Sequence, residues 1–389
     1  MSPLSRVFIA SAARTPVGSF KGVLSNLSAV QLGVHAAKGA INKAGIEAKE
    51  VDEVYMGNVL QAGLGQAPAR QVALGAGCKE NTPSTTINKV CASGMKAVIL
   101  ATQNIQTGTQ NVMLAGGMES MSNSPFYSPR NVGYGHQQLL DSIVKDGLTD
   151  AYDHIHMGVC SEETAVNYNI TREQQDQYAI KSYEKAAEAW KNKVFKEEVI
   201  PIEIVNRKKA SVVDVDEEFT KVKFDKIASL KSVFKKDGTI TAANASKIND
   251  GASALVLVSE SKANELNIKP LAEIISYADA ACIPKNFTIA PSFAVPIALQ
   301  RANLKIEDIS LFEFNEAFSL VNLVNEKLLK LDPSKCNIAG GAVSLGHPIG
   351  SSGSRILVTL THLLQPGQYG CAAICNGGGG ASAIIIKKL

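Results

Sequence analysis

The feature that most restricts the fold is that the chain repeats itself. Ala40-Ile41-Asn42-Lys43-Ala44-Gly45-Ile46, followed by Glu50-Val51, has a counterpart 258 residues later in Ala298-Leu299-Gln300-Arg301-Ala302-Asn303-Leu304, followed by Asp308-Ile309. At a displacement of 259, Ser93-Gly94 and Gly108 fall on Ser352-Gly353 and Gly367, and Val112 to Ala115 fall on Cys371 to Ile374. Two separated stretches with nearly one offset point to a duplicated half-domain whose copies pack as pseudo-twins. In that register Cys91 faces Gly350 and Cys375 faces Gly116, so the copies bring different side chains to a shared cleft.

Short apolar runs bounded by turn residues predict strands at Val7 to Ala10, Val54 to Val59, Val112 to Ala115, Ala254 to Val258, Leu271 to Ile275, Leu311 to Phe314, Ala372 to Ile374 and Ala383 to Ile386. Helical spacing predicts helices over Ala29 to Lys43, Met95 to Gln106, Ala294 to Arg301 and Phe318 to Leu331. The alternation is that of an α/β protein with helices on both sheet faces.

Residues 121 to 248 belong to neither copy and read as an inserted loop domain, ending in a basic cluster of Arg207, Lys208, Lys209, Lys221, Lys223, Lys226, Lys231, Lys235 and Lys236. Clustered ammonium groups suit a polyanionic substrate such as a phosphorylated nucleotide carrier, or else form a solvated face. Asp214, Asp216, Glu217 and Glu218 interrupt the run and weaken a nucleic-acid reading.

At 389 residues the chain exceeds one ordinary core, and 45% hydrophobic with 19% charged residues is the composition of a soluble globular protein. A net charge of +3 demands neither nucleic acid nor an acidic membrane. Seven irregularly spaced cysteines argue for a reducing compartment over a disulfide framework. No CxxC pairs exist, and only His154 and His156 lie close together, which disfavours structural zinc. The chain enters the apolar run Val7 to Ala10 within a few residues, leaving no room for a presequence, and Lys387-Lys388-Leu389 departs from a peroxisomal address. The cytoplasm is therefore the expected location, with the mitochondrion as alternative.

Cys91 follows the β-branched run Thr85-Thr86-Ile87 and opens a small-residue helical segment. Unpaired N–H groups and the dipole at a helix start favour thiolate, which makes Cys91 a candidate nucleophile; the plainer reading is a small buried residue. Gly340 to Gly350 surrounds His347, and Cys375 precedes Asn376 and a run of four glycines. Glycines there suggest N–H groups free for an oxyanion. Asn315 and Glu316 stand between a strand and a helix, where site residues collect, although Asn315 also suits a helix N-cap.

These segments resemble the thiolase family, and within it the biosynthetic and ketone-body acetyl-CoA acetyltransferases. The resemblance is carried in fixed order by Ser11 to Pro16, Gly65 to Gln71, Asn88 to Met95, Gly116 to Met121, Thr241 to Ser246 with Asn249-Asp250-Gly251, Asn315 to Phe318, Gly346-His347-Pro348 and the last glycine run. It implies a five-layered α-β-α-β-α fold, with one half at 1–120 and 249–270, the loop domain at 121–248 and the other half at 271–389. It also implies reversible Claisen condensation of two acetyl-CoA to acetoacetyl-CoA and CoA. In that scheme Cys91 takes the acetyl group, while His347 activates the thiol and, with a water on Asn315, holds the enolate oxygen. Cys375 moves the α-proton, and the N–H groups of Cys91 and Gly377 hold the second oxyanion.

By the same resemblance His156 and Met157 line the acyl pocket, and Lys221, Lys226 and Ser246 contact CoA; Lys221 stands where close relatives often carry Arg, and His154, which has no counterpart in the family pattern, is read as structural. No covalent cofactor is implied. A potassium ion is, with Tyr183, Ala242, Ala243, Ala245 and Val343 at its ligand positions. A homotetramer is implied too, with Met118 to Asn131 as a contact loop. Cytosolic supply of acetoacetyl-CoA for sterol synthesis follows from the expected location. The rivals are a broader 3-ketoacyl-CoA thiolase, a decarboxylating ketoacyl synthase, which would need a second catalytic His in place of Cys375, and a noncatalytic scaffold of this fold. A nucleotide-dependent oxidoreductase fares worst, because Gly63-Leu64-Gly65-Gln66-Ala67-Pro68 has Pro where the third glycine should be.

Overall fold

The computed structural model describes residues 4–206 and 209–389, so Arg207 and Lys208 of the basic cluster lie outside the described residues. In the first half the strands lie side by side in the order Ser84–Ile87, Glu53–Gly57, Val112–Ser120, Asn249–Ser259, Val7–Arg14. In the second half the order is Ile309–Phe314, Tyr369–Asn376, Gly380–Lys388, Ala272–Ala281. The two sets correspond place by place. Glu53–Gly57 runs parallel to Val112–Ser120 as Ile309–Phe314 does to Tyr369–Asn376, and the pairings that follow are antiparallel in both halves. Where the first half pairs Val54 with Ser84, the second keeps only a parallel bridge between Phe312 and Cys336. The halves join through the pairs Phe8–Glu273 and Ile9–Ala272.

Alternation along the strands explains the layering. Leu114, Met118, Ala254 and Val256 pack with the outer helix Ala29–Ala44, whereas Met113, Ala115, Leu255 and Leu257 pack with the central helices Ser93–Gln106 and Ile349–Leu363. Pro291–Ala302 covers the outer face of the second half. The result is helix, sheet, helix, sheet, helix, in which strands buried on both faces must be apolar throughout. The central helices touch at twin glycines. A Cβ on Gly94 would lie 2.5 Å from Ser354 Oγ, and one on Gly353 would lie 2.7 Å from the Met95 nitrogen.

Each of the eight strands predicted from apolar runs is present, but most run longer, because strand ends carry residues that an apolar run excludes: Gly116, Gly117, Glu119 and Ser120 are buried and still β. Ser84–Ile87 is an additional strand. The helix predicted over Phe318 to Leu331 begins at Ser319 with Phe318 as its cap, so Asn315 is not a helix cap. The insertion contributes the helices Met157–Asn167 and Arg172–Lys191 and the hairpin Ile202–Asn206 with Lys209–Val213. It is tied to the first strand by buried Arg14, whose guanidinium donates to Glu198 at 2.5 Å and Asp216 at 2.7 Å.

Candidate active site

Cys91 sits on a sharp turn between the strand Ser84–Ile87 and the helix Ser93–Gln106. Val90, a β-branched residue, is held at φ 48°, a strain of about 1–3 kcal/mol. Ser93 holds it there: the Lys89 N–H donates to Ser93 Oγ at 2.8 Å, and that hydroxyl donates to the Val90 carbonyl at 2.5 Å. The sulfur lies just outside the first helical turn, against Val59, Leu60 and Ile349. Desolvation pushes the thiol up to about 11, although the N–H groups of Gly377 and of Cys91 itself pull the other way. The helix start is expected to ease loss of the Cys91 proton, and burial works against that expectation. Loss of water around the sulfur outweighs the helix start, and Cys91 is a thiol that needs a base.

His347 lies on the tight turn before the helix Ile349–Leu363. Gly346 has φ 111°, and a Cβ there would meet Asn249 Cγ at 2.7 Å. The His347 N–H donates to Asn249 Oδ1 at 2.8 Å, and the ring Nδ1 is 2.6 Å from Ser352 Oγ. Ser352 has one proton and gives it to the Pro348 carbonyl at 3.0 Å. The assignment that satisfies both contacts puts the imidazole proton on Nδ1 and leaves Nε2 with a free lone pair. Burial first, then Arg355, pushes the imidazole down to about 3, so it is neutral. Asn315 Nδ2 is 3.5 Å from Nε2. Asn315 is fully buried at the end of its strand, anchored by its N–H on the Ala373 carbonyl at 3.0 Å. Its neighbour Glu316 anchors the surroundings instead, accepting from Tyr178, Ser182, Asn337 and the Val343 N–H.

Cys375 is the penultimate residue of the strand Tyr369–Asn376, buried in a cluster with Met157, Ala317 and Phe318. Its thiol is pushed well up by burial and then by the charge a Cys91 thiolate would carry. Gly378 and Gly379, both at φ 81°, turn the chain back so that Gly377 faces Cys91.

Cys91, His156, Met157, Ser246, His347 and Gly377 line one inner cavity of about 50 Å³; Cys375 is not among its lining residues but packs in one cluster with Met157, Ala317 and Phe318, which are. Through the shared walls of His156, Ser246 and His347 it adjoins a cavity of about 560 Å³, which in turn shares Lys221, Ala242 and Lys247 with an outer one of about 250 Å³. His156 caps the helix Met157–Asn167 by accepting the Gly158 N–H on Nδ1 at 3.0 Å, and its ring stacks on Phe234 at 4.6 Å. Lys221, Lys223 and Lys226 line the outer cavity, with the Lys221 ammonium paired to Glu217 at 2.6 Å. Lys231, Lys235 and Lys236 are exposed away from it, so only part of the basic cluster serves this opening.

Two supporting residues escaped the sequence reading. Ser352 was visible only as the repeat partner of Ser93. Glu119, fully buried, accepts from Asn58 and from the N–H groups of Val59, Leu60 and Gly350, and so ties the Cys91 side to the His347 helix. Its signal was a carboxylate inside an otherwise apolar strand.

The five positions expected to hold potassium do gather. Tyr183 packs against Val343 and donates to the Ala243 carbonyl at 3.5 Å, and Ala242 lines the same cavity. However, the Lys247 ammonium donates to the Ala245 carbonyl at 2.6 Å and to the Tyr183 hydroxyl at 3.1 Å. A carbonyl and a hydroxyl already committed to one cation do not fit a second beside it. Among the described residues no group of three His, Cys, Asp or Glu could hold a metal ion.

Comparison with known proteins agrees with this architecture. Residues 7–261 match the family model for "Thiolase, N-terminal domain" and residues 268–388 that for "Thiolase, C-terminal domain". Acetyl-CoA acetyltransferase, mitochondrial, from Danio rerio is 58% identical over 388 residues, covering 99% of this chain and 92% of that protein; the Bos taurus protein of the same name is 58% identical over 389 residues, with the same coverage. The crystal structure of Acat5 thiolase from Ascaris suum in complex with coenzyme A superposes with a TM-score of 0.96 at 48% identity, over 99% of this chain and all of that one. A duplicated five-layered fold, a cysteine and a histidine opposed across one cavity, and these matches along nearly the whole length have one explanation: the chain belongs to the thiolase family.

Proposed function

We propose that the protein is an acetyl-CoA C-acetyltransferase, condensing two acetyl-CoA to acetoacetyl-CoA and CoA and running the same steps backwards in thiolysis. The observation that carries this is Cys91 and His347 lining one cavity, with Cys375 in one cluster with Met157, Ala317 and Phe318 of that lining and near enough to feel a charge on Cys91. His347 Nε2 takes the Cys91 proton as the sulfur attacks the acetyl carbonyl, because burial holds the proton on the thiol and keeps the imidazole neutral, so that a separated ion pair is disfavoured before attack. The tetrahedral oxyanion is held by the N–H groups of Cys91 and Gly377. On collapse the departing CoA thiolate takes the Cys375 proton, leaving acetyl-Cys91, a Cys375 thiolate and a His347 imidazolium. Cys375 then removes the α-proton of a second acetyl-CoA, while the imidazolium and a water on Asn315 hydrogen-bond the enolate oxygen. The enolate carbon attacks the acetyl-Cys91 carbonyl, the sulfur leaves, and it regains its proton from His347.

The resemblance to a CoA-bound thiolase supports CoA in the outer cavities, with Lys221 and Lys226 at the nucleotide end and Ser246 along the pantetheine. Met157, Leu148, Phe287 and Ile349 confine the inner cavity, which favours a two- or four-carbon acyl group over the long chains of a broader 3-ketoacyl-CoA thiolase. Exposed Phe126, Val132, Tyr134, Leu139 and Leu140 on the insertion support a homotetramer, checked by light scattering. The mitochondrial names of the relatives favour the mitochondrion over a cytosolic role in sterol supply, and cell fractionation decides between them.

The test of the reaction is radiolabelled acetyl-CoA. Cys91→Ala takes up no label, Cys375→Ala is labelled but does not condense, and acetoacetyl-CoA is cleaved far faster than 3-ketohexadecanoyl-CoA. An unlabelled Cys375→Ala protein would refute the division of roles.

A further inference from the structure

We infer that Lys247 is a tethered cation that takes the place of a bound potassium ion and positions the Ala245-Ser246 wall of the acyl-CoA channel. The side chain folds back over its own turn. From there its ammonium binds the carbonyl two residues earlier, at 2.6 Å, and the Tyr183 hydroxyl at 3.1 Å, and it lies 5.7 Å from the centre of the Tyr183 ring. Tyr183 passes the contact on to the Ala243 carbonyl. One positive charge thus engages two of the five groups at which a monovalent ion would be expected directly, and a third, the Ala243 carbonyl, through Tyr183; burial pushes the ammonium down to about 8 against the pull of the Glu218 and Glu316 carboxylates, which leaves it a cation at neutral pH.

The segment it anchors reaches the reaction site. Ser246 donates its N–H to the Ala317 carbonyl at 3.0 Å, Ala245 bridges to Phe318, and Ser246 and Phe318 both line the inner cavity with Cys91 and His347. An ammonium on a side chain is always at the site, needs no ion from solution and cannot be exchanged. A potassium ion would compete with it for the same oxygen atoms and meet its charge. Lys247 is thus a positioning residue: it orders the channel wall without touching the reacting carbons.

The inference rests on the acetyltransferase reading only for its kinetic arm. With the purified full chain at constant ionic strength, exchanging potassium chloride for choline chloride changes the acetoacetyl-CoA thiolysis rate of the natural protein less than twofold and leaves its melting midpoint where it was. In choline, Lys247→Ala raises KM for acetoacetyl-CoA about tenfold with a smaller change in kcat. Potassium restores KM to within threefold and raises the melting midpoint of that variant alone. Lys247→Met, which fills the same room without charge, is impaired and gains nothing from potassium. The inference is overturned by more than threefold stimulation of the natural protein by potassium, or by a Lys247→Ala protein that is unimpaired or indifferent to the ion. If Lys247→Ala does not fold, the natural protein's cation response and the Lys247→Met kinetics still decide. The melting shift needs no turnover, so a wrong reaction assignment would leave that arm intact.

Discussion

The starts of the two central helices are the same device put to different uses. Ser93-Gly94 and Ser352-Gly353 are repeat partners, and both glycines sit where the helices touch. In the first half the serine hydroxyl binds only backbone, the Lys89 N–H and the Val90 carbonyl, and so fixes the turn that presents Cys91. In the second half it binds a backbone carbonyl, that of Pro348, and the ring of His347, and so fixes a tautomer. Duplication supplied one brace; the residue it braces differs. This teaches that each half presents one of the two cavity-lining residues, Cys91 and His347, from the turn before its central helix, although not from equivalent positions of the repeat.

The comparison can be broken most forcefully at the imidazole. His347→Ala is expected to lower both acetyl labelling of Cys91 and condensation by about 10²–10⁴; a variant that still labels at the natural rate would remove His347 from the first step. The second test asks whether burial or the helix start sets Cys91. Because its thiol is pushed up to about 11, the thiolate fraction rises with pH, and alkylation by iodoacetamide should increase about tenfold per pH unit from 7 to 10. A plateau below pH 9 would mean that the helix start wins.

The serines give a smaller effect and a sharper contrast. Ser352→Ala should cut kcat about tenfold through the freed tautomer, worth about 1.4 kcal/mol, with little change in melting. Ser93→Ala should instead cost about 1–3 kcal/mol of stability, measured by urea unfolding, since two backbone groups lose their partner. Equal effects on activity from both would dissolve the distinction. Smallest in activity but most direct for the symmetry are Gly94→Ala and Gly353→Ala, each expected to destabilise by about 1–3 kcal/mol through overpacking at the helix contact. A clear inequality between them would show that the contact is not shared evenly.

The repeat at nearly one offset and the apolar runs made the α/β layering legible before any coordinates, the helix start marked Cys91 and the glycines marked His347 and Cys375 as candidates, and the family resemblance supplied the five layers. Those features are local or periodic, and the hydrophobic effect reads them in the same way in any context. Strand ends such as Gly116 to Ser120 were less legible, because their burial comes from neighbours distant in sequence. The basic run overstated its part: sequence proximity could not tell that Lys221, Lys223 and Lys226 face the channel and Lys235 does not.

What the sequence determined by itself was which atoms are available: two thiols, an imidazole, an amide and a duplicated frame to carry them. Tertiary structure decided their state. Cys91 rests as a thiol because apolar side chains from separate segments strip its water, His347 bears its proton on Nδ1 because Ser352 has already spent its own, and the Ala245 carbonyl belongs to Lys247 because the chain folds back on itself there. Ionisation and occupancy depend on the field of everything nearby, and that field exists only once the halves have closed around it.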